Sequence, residues 1–148
     1  MATSSELPLD RLGFLLARHG QVMNVRLRQA LTVTGLTPRH GSTLVRLARS
    51  GPTTQQTLLE VLAVDPSGMV TILNDLERDG LVERRRDPAD RRRHIVEITG
   101  AGCVAAAEVE QAIAEVEQDA FAQLDENEIG QLRSLLARVH TRTDGDTC

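Results

Sequence analysis

The sequence predicts a mainly α fold: two short helices joined by a tight turn and followed by a β-hairpin, with long helices on either side. Only 1% of residues are aromatic, so Leu, Val, Ile and Ala must build the core, and this composition favours helices. Apolar residues recur at helical spacing along most of the chain. Residues 80–99 place two β-prone runs around an arginine-rich turn. The 148 residues and the 41% apolar content fit one domain spanning residues 1–148.

The first two helices are predicted from apolar spacing and from start and stop signals. Apolar residues of residues 9–31 form one helical stripe: Leu12, Leu15, Leu16, Met23, Leu27, Ala30 and Leu31. Gly35 suits the end of this helix. Thr37 and Pro38 then begin a second helix, which runs to Gly51, because Thr favours the N-cap and Pro the first helical position.

The third and fourth helices form the short pair. Thr53 and Gln56 fit a capping box at the start of the third helix. Asp65 and Pro66 begin the fourth, which is predicted to reach about residue 79 before Gly80. About three residues separate the two helices, which is typical of a helix-turn-helix unit. With the hairpin, residues 36–99 are predicted to form a winged helix-turn-helix lobe.

The hairpin is predicted to carry its positive charge at the tip. Leu81, Val82 and residues 95–98 are strand formers, and residues 87–90 have turn chemistry. Residues 84–93 hold six arginines and two aspartates. Because guanidinium groups suit phosphate and narrow DNA grooves, the tip is expected to bind a polyanion.

The C-terminal segment is predicted to form two further helices, the first opened by Gly100 and Gly102 and the second by Asp125. The first helix and these two carry more apolar surface than the central lobe can cover, so a homodimer is expected. Residues 9–34 and 103–142 are the predicted dimerisation helices. Residues 143–148 are expected to be a disordered tail.

The net charge of −4 is the sum of three segments of different charge. Residues 1–34 carry +2, residues 35–99 carry +1 and residues 100–148 carry −7. The acidic residues are therefore concentrated away from the predicted wing, so the overall charge does not exclude nucleic acid. The acidic run of the fifth and sixth helices is interpreted as a solvated helix face.

The central segment resembles the MarR family of bacterial transcription regulators. The residues that carry this resemblance are Leu36-Thr37-Pro38-Arg39, Thr54-Gln55, Asp65-Pro66-Ser67, residues 76–84, residues 87–92 and Val96-Glu97-Ile98-Thr99. The resemblance implies a homodimeric winged helix-turn-helix repressor or activator on palindromic double-stranded DNA, and of the two a repressor is expected. It also implies release by a small organic ligand or by oxidation.

In this resemblance the fourth helix enters the major groove and a wing arginine enters the minor groove. Arg92 is the first candidate for the minor groove and Arg91 the second, with Asp90 supporting the arginine. Arg84 and Arg86 are expected to flank phosphates or to pair with Asp87 or Asp90. The remaining predicted DNA contacts lie at the starts of the third and fourth helices: Thr54, Gln55, Ser67, Met69, Val70 and Thr71.

The sequence also offers candidate residues for sensing the signal that releases the protein from DNA. His19, Met23 and His40 are the candidates for lining an effector pocket, although a lone helical histidine is more often a packing or surface residue. Cys103 is interpreted as a small buried side chain, and a thiol-based redox regulator stays open as an alternative. A second alternative is a helical protein-interaction module without DNA binding.

Other functions lack support in the sequence. The motifs of common nucleophilic, nucleotide-binding and zinc enzymes are absent, so no enzyme, no metal site and no cofactor are predicted. No apolar stretch is long enough for a membrane span, and the first residues lack the features of a signal peptide. The protein is therefore expected to be cytoplasmic.

Overall fold

The computed structural model describes residues 10–141, which form six α-helices, one short 3₁₀ helix and three strands. In chain order these are α1 (Leu12–Leu31), the 3₁₀ turn (Thr32–Thr34), α2 (Pro38–Ser50), β1 (Thr53–Thr54), α3 (Gln55–Leu62), α4 (Pro66–Arg78), β2 (Val82–Arg86), β3 (His94–Ile98), α5 (Gly100–Ala120) and α6 (Glu126–Arg138). The mainly α fold with a β-hairpin is confirmed. The predictions for residue 9 and for residues 142–148 lie outside the described residues.

The described chain divides into two compact units, one ending at Val116 and the other beginning at Glu117. The first contains the helix-turn-helix, the sheet and most of α5. The second contains the end of α5 and α6. The single domain over residues 1–148 stays a prediction.

The helix starts follow the predicted capping residues, with one exception. Thr37 Oγ1 accepts a hydrogen bond from the His40 amide at 3.3 Å, and Pro38 is the first residue of α2. Asp65 caps α4 by accepting from the Gly68 amide at 3.0 Å. The side-chain oxygens thereby satisfy amides that have no partner inside the helix.

The capping box predicted for Thr53 and Gln56 is wrong. The N-cap of α3 is Thr54, whose Oγ1 accepts from the Thr57 amide at 3.1 Å. The Gln56 side chain instead donates a hydrogen bond from Nε2 to Glu60 Oε1, one helical turn later, at 2.9 Å. Thr53 and Thr54 form β1, an additional strand that the sequence analysis did not predict.

The sheet has the strand order β1-β3-β2, and both pairings are antiparallel. Val82 pairs with Ile98 at one end of the hairpin and Arg86 pairs with His94 at the other. β3 is therefore held on both edges, by its hairpin partner β2 and by the strand that leads into α3. The paired residues fix the stem of the wing relative to the helix-turn-helix.

The core of the first unit lies between the helices and the sheet. Its buried side chains come from α2, α3, α4, both wing strands and α5: Leu44, Leu47, Leu58, Met69, Ile72, Leu73, Leu76, Val82, Val96 and Ala106. A smaller cluster joins Leu31 at the end of α1 to Val109 and Ala112 of α5. The start of α5 thus packs on the lobe formed by α2–α4.

The second unit is a simple helical segment. Asp125 caps α6 through a capping box, in which the Glu128 amide donates to Asp125 at 2.8 Å and the Asp125 amide donates to Glu128 at 3.1 Å. This confirms the predicted start of α6. Between residues 10 and 141, every helix falls short of the combined length and apolarity that a bilayer crossing requires.

Candidate nucleic-acid interface

α4 presents one polar face and buries the other. Met69, Ile72, Leu73 and Leu76 are buried, whereas Ser67, Val70, Thr71 and Asn74 are exposed. The exposed positions are spaced by three, one and three residues, so they share one side of the helix. Met69 is 0% exposed and packs in the core, so its predicted contact with DNA is wrong in this conformation.

The two predicted hydroxyl contacts on this face already donate their protons. Ser67 Oγ donates to the Asp65 carboxylate, and Thr71 Oγ1 donates to the Ser67 carbonyl at 3.1 Å. The Ser67 hydroxyl, with the Gly68 amide, also holds the pKa of Asp65 below its ordinary value of 3.8. Each hydroxyl oxygen keeps lone pairs that can accept a hydrogen bond.

The start of α3 lies beside this helix. Thr54 is occupied in capping, because its Oγ1 bonds to both the amide and the hydroxyl of Thr57. Gln55 is the first residue of α3 and is half-buried. Its predicted role as a phosphate contact stays a prediction.

The wing tip is ordered by its aspartates. The Ala89 amide donates to Asp87 Oδ1 at 2.9 Å, and the Arg92 amide donates to Asp90 Oδ1 at 3.1 Å. Asp90 Oδ2 also lies 3.7 Å from Arg93 Nε. Asp90 therefore supports the backbone of Arg92 and the side chain of Arg93, and it leaves the Arg92 guanidinium unengaged.

Three of the tip arginines are open to a partner. Arg86, Arg91 and Arg92 are exposed, and within residues 10–141 their guanidinium groups form no ion pair or side-chain hydrogen bond. The predicted pairing of Arg86 with Asp87 or Asp90 is absent from these contacts. Guanidinium groups in this state can bind phosphate or enter a groove without breaking an existing contact.

The wing tip, α3 and α4 meet at one groove of about 390 Å³. It is lined by Thr54, Gln55, Gln56, Leu59, Pro66, Val70, Arg92, Arg93 and His94. Four predicted DNA contacts from three separate elements thus lie on one concave surface: Thr54, Gln55, Val70 and Arg92. Gln56, Arg93 and His94 were not predicted as site residues, because only the folded hairpin brings the wing beside α3.

Arg84 is placed differently from the prediction. Its Nε lies 2.9 Å from Glu77 Oε2, its Nη2 donates to Asn74 Oδ1, and its side chain is only 21% exposed. The hydrogen bond from Arg84 holds the pKa of Glu77 below its ordinary value. Arg84 therefore ties β2 to α4 in place of the predicted pairing with Asp87 or Asp90, and its predicted phosphate contact stays a prediction.

The structure places the predicted effector residues on two helices, with His19 and Met23 on α1 and His40 on α2. His40 is mostly buried, with Nδ1 against Thr37 Oγ1 and Nε2 at 2.9 Å from Asp75 Oδ2, so it connects the start of α2 to α4. His19 is exposed on α1 and Met23 is half-buried. In the part of the chain that the structure describes, no cluster of His, Cys, Asp or Glu could hold a metal ion.

Cys103 is exposed on α5, so its predicted role as a small buried side chain is wrong for the single chain. The preceding residue, Gly102, is the one that packs inward, against Leu81 and Ile98. Exposure keeps the redox alternative open, since oxidation requires an accessible thiol.

Comparisons with known proteins identify the family and relatives of this chain. The family model described as the MarR family matches residues 34–93. A protein from Thauera aromatica named as a transcriptional regulatory protein for the hcr operon is 38% identical over 138 residues, covering 92% of this chain and 82% of that protein. NicR, an HTH-type transcriptional repressor from Pseudomonas putida, is 33% identical over 108 residues, covering 68% of each chain.

Solved structures of transcriptional regulators superpose on this fold. CouR from Rhodococcus jostii RHA1, bound to p-coumaroyl-CoA, superposes with a TM-score of 0.81 at 26% identity, covering 89% of this chain and 93% of that one. The transcriptional repressor CouR bound to a 23-mer DNA duplex gives a TM-score of 0.80 at 28% identity, covering 90% and 97%. The winged fold, its exposed helix face and these relatives define a DNA-binding transcriptional regulator. The chain belongs to the MarR family.

Proposed function

We propose that this protein is a homodimeric repressor that binds an inverted repeat in double-stranded DNA. α4 enters the major groove, and Arg92 of the wing enters the adjacent minor groove. The observation that carries the proposal is the shared groove, where the exposed face of α4, the start of α3 and the unpaired Arg92 lie together. A protein that contacts both grooves of a duplex needs a helix and a wing arginine next to each other, because the major and minor grooves lie side by side.

The homodimer is supported by apolar side chains that the chain leaves uncovered. Only Leu31 is buried among the 20 residues of α1, whereas Leu12 is 80% exposed and Phe14 is 56% exposed. No residue of α6 is buried, and Leu135 is 57% exposed. Apolar surface of this extent is typical of an interface between protein chains. A two-fold dimer would place two copies of α4 on the two halves of a palindrome.

The proposal is tested by selecting duplexes from a random pool with the purified protein and measuring its mass by light scattering. We expect a dimer at micromolar concentration and selected sequences that contain an inverted repeat, with half-sites about one helical turn apart. A monomer that binds DNA fully would contradict the dimer. A pool that shows no enrichment would contradict sequence-specific binding.

We propose further that a small organic ligand releases the repressor from DNA. CouR was solved with p-coumaroyl-CoA, and NicR is named a repressor, which supports repression relieved by an aromatic acid or its thioester. The proposed lining residues are His19, Met23 and His40. His40 is the residue through which a ligand could act on DNA binding, because its contact with Asp75 joins α2 to the DNA-reading helix.

The release is tested by adding phenolic acids, their CoA thioesters or peroxide to the protein–DNA complex. Wild type is compared with the Cys103→Ser, Cys148→Ser double variant. We expect an organic ligand to weaken DNA binding about 5- to 150-fold in both proteins, the usual range of coupling between two sites. Release by peroxide in wild type alone would contradict the ligand proposal and support the thiol alternative.

A further inference from the structure

The exposed face of α4 lacks the side chains that most often read guanine. Arginine and lysine recognise guanine through its O6 and N7 acceptors. The first basic residue of α4 is Arg78, in the last turn, and its guanidinium lies 3.4 Å from Asp75 and 3.6 Å from Asp79. The N-terminal turns, which approach base edges in helix-turn-helix proteins, carry no positive side chain.

In this conformation the two hydroxyls on these turns present only acceptor oxygens to a partner. Ser67 Oγ donates its hydrogen bond to the Asp65 carboxylate, and Thr71 Oγ1 donates to the Ser67 carbonyl. Asn74, one turn further, has its Oδ1 engaged by Arg84, so a bidentate pair with adenine would have to share that oxygen with Arg84. Two acceptor oxygens fit an exocyclic amino group, which is N6 of adenine or N4 of cytosine, and they do not fit the two acceptors of guanine.

The remaining group on this face is apolar. Val70 is 40% exposed and lines the groove that faces the wing. Thr71 adds a methyl group on the same side of the helix. In the major groove the apolar feature of a base edge is the C5 methyl of thymine. An A·T pair therefore offers both features that the face of α4 can recognise, the amino donor and the methyl group.

We propose that α4 reads A·T pairs, with Val70 packing against a thymine methyl group in each half-site and with Ser67 or Thr71 accepting from adenine. This inference rests on the proposed DNA-binding function and specifies which bases it reads. Val70 is thus a specificity-determining residue, because only an A·T pair presents a methyl group together with an amino donor in the major groove.

The test uses the selected operator, with deoxyuridine replacing thymidine at one symmetric pair of positions at a time. Uracil pairs as thymine does but lacks the methyl group. We expect wild-type protein to bind about fourfold more weakly for each contacted methyl that is removed, at one position of each half-site. Val70→Ala should bind the thymine operator more weakly and should lose no further affinity on uracil replacement.

Val61→Ala is the matched control, since Val61 is 49% exposed on α3 and lies outside the groove. This variant should keep the wild-type response to uracil. Uracil replacement without effect at every position, or a response that persists in Val70→Ala, would overturn the inference while leaving DNA binding in place. The absence of any selected duplex would instead overturn the proposed function, and this inference with it.

Discussion

Replacing Gly102 with alanine is expected to lower the free energy of unfolding by roughly 3 kcal/mol, the upper part of the range for overpacked sites. A Cβ at this position would overlap the carbonyl oxygen of Leu81 and would lie 2.6 Å from Ile98 Cγ1. The obstacle is backbone, and the Leu81 carbonyl also accepts the Thr99 amide at 3.0 Å. The start of α5 would have to move away from the wing strands.

Gly100→Ala is the control for this variant. Gly100 begins the same helix, and a Cβ there would meet no atom within 4 Å. Because alanine favours helix, its unfolding free energy should equal or exceed that of wild type. Urea unfolding followed by circular dichroism, at one fixed protein concentration, compares the two variants. Wild-type stability of Gly102→Ala would show that the close approach to Leu81 is absent.

Arg92→Ala is expected to weaken operator binding by about 1–3 kcal/mol, which is roughly 5- to 150-fold. The Arg92 guanidinium has no partner among the described residues, and the Asp90 turn holds its backbone in place. Binding DNA therefore breaks no existing contact of this guanidinium among the described residues, and the ordering cost is that of the side chain rather than of the backbone. Because narrow A·T-rich minor grooves attract arginine, the loss should be larger for operators with A·T pairs beneath the wing. Fluorescence anisotropy with operators that differ only at those pairs measures it.

Two arginine variants serve as controls for Arg92. Arg91→Ala removes the same charge from the neighbouring tip residue, which does not line the groove, and it should weaken all operators alike. Arg18→Ala, on the exposed part of α1, should leave DNA binding close to wild type. Equal losses on all operators from Arg92→Ala and Arg91→Ala would contradict the minor-groove assignment.

Variants at the contact between Arg84 and Glu77 distinguish two possible roles of Arg84, which are to position the wing and to bind phosphate. If Arg84 acts by tying β2 to α4, Glu77→Gln and Arg84→Ala should both weaken binding, although one removes a negative and the other a positive charge. A phosphate contact would instead make Glu77→Gln neutral or favourable, and it would reduce the salt dependence of binding by about one ion in Arg84→Ala alone.

Most helices could be predicted from the sequence because their signals are local. Thr37-Pro38 and Asp65-Pro66 are start signals that act within one helical turn, and the structure uses both. β1 was missed because two threonines carry no alternating pattern, and their strand exists only through pairing with β3, about forty residues further along. The capping box was predicted one residue too early for the same reason: Thr53 and Thr54 pair with β3, and Thr54 is the N-cap of α3.

The site was predicted less well than the fold because it depends on contacts between elements. The tip arginines follow from composition alone, but the partner of Arg84 is on α4, and only the folded wing brings Glu77 and Asn74 to it. The spacing that places Met69 with Leu73 and Leu76 already indicated the buried face, yet Met69 was counted as a contact from its place in the recognition helix. Cys103 follows a glycine that takes the inward position, and one residue of register decides which of the two is exposed.

The last paired residues of the hairpin are Arg86 and His94, so residues 87–93 lie beyond the sheet and are held by bonds within their own turn. Substitutions in these seven residues need not disturb the core or the DNA-reading helix. Contacts at the wing tip can therefore be varied by substitution in one turn while the paired strands and the core that carry the turn stay unchanged.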